Sequence, residues 1–270
     1  MSKKVLIIAA VVILLLVGAV TAAIFLLKPG KKSDDTTAKK PPINEPVNVI
    51  DLTDRPYVTL TPRADGKELT LSLFTLPLKA SEMEYEMEYQ AGTLLQAAFG
   101  SIDLTSQSVP LDKKVLLGSC SAGGACTYHQ DVQGGNLTLK FRADQNYALK
   151  DEWRFIETKE AEGEYSSRDS KFQLKAADAL DKTGYMVIMQ TSGLPAKAPG
   201  DIIAGPYGIY PAGGIPDKST ADLSMHLSED VTAATIYGYN GTDWVKFDTT
   251  VADKTATASV DLMPVFIVTK

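Results

Sequence analysis

The chain has 270 residues, 44% hydrophobic and 22% charged, a composition able to bury a core and long enough for one or two domains. Its net charge is −6, but seven lysines and two aspartates give the first 40 residues +5, so residues 41–270 carry −11. A region that acidic repels phosphate backbones, which argues against nucleic acid as a partner.

Residues 1–4 form a short tail. Residues 5–27 read VLIIAAVVILLLVGAVTAAIFLL without a charge. As a helix this run extends about 34 Å, enough to cross a hydrocarbon core of about 30 Å. The apolar stretch continues past the small-residue site Val20-Thr21-Ala22, and no cysteine follows it. It therefore reads as an uncleaved signal anchor that ties the protein to a membrane. Gly18 and Ala22 form a small-xxx-small pair suited to packing on another span. Five lysines between Lys28 and Lys40 outnumber Lys3 and Lys4, which by charge alone favours an inward C-terminal region. Large domains translocate largely regardless of such flanks. The cysteine pair and the Thr/Gly-rich β composition point outward. The expectation is a single-pass membrane protein with its C-terminal domains extracytoplasmic.

Residues 28–55 hold Pro29-Gly30, Asp34-Asp35 and Lys39-Lys40-Pro41-Pro42, and read as a Pro/Lys-rich linker. Beyond it the pattern is all-β, and two tandem antiparallel β-sandwich domains are expected at 56–158 and 172–270, joined by a polar connector at 159–171. In the first, alternating residues flank Ala64-Asp65-Gly66, a hairpin signal. Residues 81–89 set Met83, Tyr85, Met87 and Tyr89 on one face and Glu82, Glu84, Glu86 and Glu88 on the other. Gly92 to Phe99 reads as a short helical turn and Gly134-Gly135 as a turn between strands. In the second, Tyr185 to Met189 is a buried strand, Leu194 to Pro216 is mostly Gly/Pro-rich loop, and five short strands follow at sandwich-like spacing.

Cys120 and Cys126 stand six positions apart across a Gly-rich stretch, which suits a small loop disulfide and an oxidising compartment. A metal site would need more ligands than nearby His129 and Asp131 provide. A catalytic thiol would need His129 or His226 as its base. His129 itself reads as a surface or hydrogen-bonded histidine. His226-Leu227-Ser228 is the sharpest local motif. In a self-cleaving reading, His226 activates the Ser228 hydroxyl, which attacks the Leu227 carbonyl to give an ester that water hydrolyses. In the plain reading, Leu223, Met225 and Leu227 point inward and His226 sits on the solvent face of a strand. Asn136-Leu-Thr138 and Asn240-Gly-Thr242 fit the glycosylation sequon. Phosphate-loop, dinucleotide-binding, His-Glu-x-x-His and Gly-x-Ser-x-Gly motifs are all missing, and only two histidines exist. No catalytic residue, cofactor or metal is expected.

Tyr207-Gly-Ile-Tyr-Pro-Ala-Gly213, Ala221-Asp-Leu-Ser-Met225, Ala234 to Gly241 with Trp244, and the closing Thr257 to Val260 and Phe266 to Val268 resemble the ZU-type β-sandwich of ankyrins, netrin receptors and bacterial surface proteins. The resemblance covers about the last 85 residues and implies a fold more than an activity. Certain ZU-type and related adhesion-receptor domains carry a self-cleavage motif similar to His226-Leu227-Ser228. The opening strands and Tyr85 to Tyr89 resemble a fibronectin type III or immunoglobulin-like sandwich.

The function expected is a cell-surface binding or structural module rather than an enzyme. Candidate partners are surface proteins or glycans, and exposed loops would carry recognition, with Tyr207, Tyr210, Tyr237 and Tyr239 as candidates. The alternatives are an accessory subunit of an envelope complex and a surface domain that cleaves itself at Leu227–Ser228.

Overall fold

The computed structural model describes residues 42–176 and 179–270. The expected transmembrane anchor at 5–27 lies outside them. Among the described residues no helix is long and apolar enough to cross a membrane.

The fold is all-β. Its strands are β1 (Val58–Pro62), β2 (Glu68–Leu73), β3 (Ala80–Ala91), β4 (Leu94–Asp103), β5 (Leu111–Leu116), β6 (Gly118–Cys120), β7 (Cys126–Tyr128), β8 (Val132–Ala143), β9 (Tyr147–Glu157) and β10 (Glu164–Ser166). There follow β11 (Phe172–Lys175), β12 (Tyr185–Gln190), β13 (Ile202–Pro211), β14 (Thr220–His226), β15 (Thr235–Tyr239), β16 (Trp244–Lys246), β17 (Thr250–Ala252), β18 (Thr255–Asp261) and β19 (Val265–Thr269). Three-residue 3-10 turns at Leu52–Asp54, Thr158–Glu160 and Asp181–Thr183 connect them.

Residues 43–270 form one compact unit built on a nine-stranded sheet of order β16-β15-β19-β13-β12-β9-β8-β3-β4. This differs from the division expected at 159–171. Strand β9 ends the first expected domain and β12 opens the second, yet they pair directly, with Met186 opposite Ile156 and Met189 opposite Trp153. Two cores still exist, on opposite faces of the shared sheet. Val187 and Met189 face one core, closed by the small sheet β1-β2-β5 through Val58, Leu60, Leu69 and Leu71. Met186 and Ile188 face the other, closed by β10-β11-β14-β18-β17 through Phe172, Leu174, Leu223 and Met225. Alternate residues of a strand point to opposite faces, so a strand covered on both must be apolar throughout. That is why Tyr185 to Met189 shows no alternation, whereas β3, covered on one face, does.

Four further expectations change. Residues 43–55 are part of the fold: Ile43 is buried, and Val47 and Asn48 lie along Ala148 to Lys150, where β12 leaves β9 uncovered. Residues 92–99 turn tightly at Gly92 and then run as strand β4, not as helix. Gly134 and Gly135 lie inside β8; a Cβ on Gly135 would strike the Glu88 carbonyl, so the pair marks close strand approach. Residues 202–211 form the mid-sheet strand β13 despite their Gly and Pro. Gly205 and Pro206 fall where the β13–β19 register slips, so the missing proline N–H costs no ladder bond.

Candidate functional site

The largest concavity among those described is a groove of about 820 Å³ at one end of the central strands. Its floor is Val132 and Gln133 of β8, Arg154 to Glu157 of β9, and Tyr185 of β12. One wall is the β1–β2 turn and residues 129–131; the other is Glu160, Ala161, Glu164 and Arg168. The turn is held over the floor by Gly66, whose left-handed backbone brings it against the Tyr185 ring where a Cβ would collide.

Charge in the groove is mixed. Arg63 takes Asp65 in a two-toothed ion pair, with both nitrogen–oxygen distances at 2.7 Å, and its hydrogen bond holds that carboxyl down at about 2. Lys175 pairs with Glu164 at 2.8 Å, and Arg154 donates to the Ser166 hydroxyl. Among the described residues that line the groove, Asp131, Glu157 and Glu160 have no ion-pair partner, nor have Lys67, Arg154 and Arg168, so three carboxylates and three cationic side chains stand there without one.

The disulfide expected between Cys120 and Cys126 is present. It clasps the two-stranded ribbon β6–β7, in which the two cysteines sit directly opposite each other. Residues 119–127 are all exposed. The ribbon's base is fixed to the groove wall: Lys67 Nζ lies 4.7 Å from the Tyr128 ring centre, and the His129 amide donates to the Leu117 carbonyl at 2.9 Å. His129 Nδ1 is 3.0 Å from the Tyr89 hydroxyl, and Tyr89 packs on the buried Trp153. The histidine is thus braced by the first core. Among the described residues no group of three or more His, Cys, Asp and Glu side chains is placed to hold a metal ion.

His226 closes β14 with its side chain exposed, Leu227 is buried and Ser228 is exposed. All three amides are engaged, His226 to the Lys171 carbonyl, Leu227 to Lys254 and Ser228 to Ile203, each at 2.8 Å. Among the described residues no hydrogen bond joins the His226 ring to the Ser228 hydroxyl. The recognition tyrosines divide. Tyr207 and Tyr210 belong to the buried faces of β13, bonded to Asp169 at 2.7 Å and Tyr57 at 3.2 Å, and present nothing outward. Tyr237 and Tyr239 are half-exposed on β15.

Two features, one polar and one apolar, had no sequence signal. Asp151 interrupts the apolar row Tyr147, Leu149, Trp153 and Phe155, is 4% exposed, and accepts the Ser192 hydroxyl. Burial pushes its carboxyl up to about 7 against the opposing effects of Ser192 and Arg55. Nearby, Arg55 donates to the Ile50 and Asn48 carbonyls at 2.9 and 2.8 Å and closes the 48–55 segment. The second feature is the free edge of β4, where Leu94, Leu95 and Phe99 are exposed.

No family model matches the chain, and no curated protein matches its sequence.

Proposed function

We propose that the protein is a membrane-anchored extracytoplasmic module that binds a partner at the cell surface, through the groove at residues 129–133 and 154–168 and the ribbon beside it. The observation that carries this reading is the disulfide-clasped ribbon, exposed from residue 119 to 127 and rooted at Gly118 and Tyr128 on the wall of the largest described groove. A crosslink in so exposed a position persists where thiols are not kept reduced, which supports an extracytoplasmic site. The apolar run at 5–27 supplies the anchor. Unpaired carboxylates beside Arg168 suit a polar partner, protein or glycan, over an apolar one.

Protease shaving of intact cells tests the topology, with released peptides analysed by mass spectrometry with and without reductant. Release of peptides from residues 55–270 with Cys120 and Cys126 linked supports the reading. Full protection of that region with both thiols free overturns it.

A further inference from the structure

The two edges of the nine-stranded sheet are unequal. One is β16, three residues long. The other is β4, ten residues in unbroken antiparallel register with β3, its far side paired with no other strand among the described residues. Sheets protect such edges with lysine, proline, bulges or shortness. Strand β4 uses none of these: LLQAAFGSID carries a single charge, Asp103, at its end. Phe99 is 80% exposed, Leu95 69% and Leu94 63%. Leu95 and Phe99 share the outer face and Leu94 lies on the inner one, so the edge leaves on the order of 400 Å² of apolar side chain uncovered, divided between its two faces.

We propose that β4 pairs with β4 of a second copy, antiparallel about a two-fold axis through Ala98, making one sheet continuous through both molecules. The strand's own sequence favours this occupant. A two-fold perpendicular to the sheet keeps each face on the same side, so opposed residues must share parity. Centred on Ala98, the pairing sets Phe99 against the partner copy's Ala97 and Leu95 against its Ser101 on the outer face. On the inner face it sets Leu94 against Ile102 and Gln96 against Gly100. Each large side chain meets a small or apolar one, and Asp103 falls opposite uncharged Thr93.

Charge permits it too. The glutamate row of β3 lies one strand in from the edge, so the two rows stand roughly 14 Å apart, beyond the screening length at physiological salt. Arg142 already pairs with Glu82 and Glu84 at 3.3 Å each. Apolar area from both copies, with ten residues of backbone apiece, reaches the lower range of stable dimers, about 1,200 Å². The remaining edge is too short to continue the chain of pairings, so assembly closes at two.

The test uses the full chain in mild detergent, by light scattering across a dilution series. The native protein is expected at twice its monomer mass. Phe99→Lys, at a site exposed enough to leave folding intact by circular dichroism, is expected to weaken association at least tenfold. The native cysteines are joined to each other, so Ala98→Cys has only its symmetry mate to pair with and is expected to yield an oxidised covalent dimer, whereas Gln96→Cys is not. A monomeric native protein overturns the proposal. So does association unchanged by Phe99→Lys, which would assign the contact to the apolar run at 5–27, and so does failure of Ala98→Cys to cross-link. None of these outcomes bears on the topology tested by shaving.

Discussion

Asp151 offers a direct test of the first core's burial. Its carboxyl lies under the first core with the Ser192 hydroxyl as donor, and burial raises it from its ordinary 3.8 to about 7. Between those values the native state holds a proton that the unfolded chain has released. Stability from this group is therefore fully present below about pH 4 and is lost as pH rises through 7. At 1.36 kcal/mol per unit, the interval amounts to about 4 kcal/mol. Asp151→Asn keeps an acceptor for Ser192 and removes the titration. Urea unfolding of both proteins from pH 4 to 9, followed by circular dichroism, should give matching stabilities at pH 4. The variant should gain progressively, toward that ceiling, by pH 8. The difference between the two proteins isolates Asp151 from every other group. A constant difference across the range, or a variant that loses ground as pH rises, would refute the reasoning and mean that Arg55 holds the carboxylate charged.

The other predictions are simpler to read. Replacing Cys120 and Cys126 by serine opens a small loop and should lower stability by about 2 kcal/mol, seen as a reduced urea midpoint that reductant reproduces in the native protein. Gly135→Ala forces β3 and β8 apart at the Glu88 carbonyl and should cost about 1–3 kcal/mol, whereas Gly92→Ala, which meets no neighbouring atom, should cost less despite its positive φ. Because the Ser228 amide is held by Ile203 and the His226 ring makes no bond to the Ser228 hydroxyl, the chain should run as one full-length band in denaturing gels, and His226→Ala should leave that band unchanged. Two fragments in the native protein, joined into one by Ser228→Ala, would establish self-cleavage instead.

Local signals were enough for several elements, each because one face meets water and the other does not. The Met/Tyr and Glu alternation of β3, the inward Leu223, Met225 and Leu227 of β14, and the Ala64-Asp65-Gly66 turn all follow from a period of two and a positive φ. The cysteine spacing led to the disulfide because only five residues, two of them glycine, separate the cysteines, and so short and pliant a loop readily brings its ends together. What the sequence could not express was pairing between distant strands. That β9 joins β12, that two cores back onto one sheet, and that residues 43–55 fill the uncovered edge of β9 depend on backbone bonds that carry no side-chain signature. For the same reason Gly134-Gly135 resembled a turn and residues 202–211 a loop. Glycine reports close approach or flexibility alike, and only the neighbouring strands decide which. The site divides in the same way: the ribbon was legible from Cys120 and Cys126, whereas the groove, Asp151 and the bare edge of β4 came into being only when the sheet was assembled.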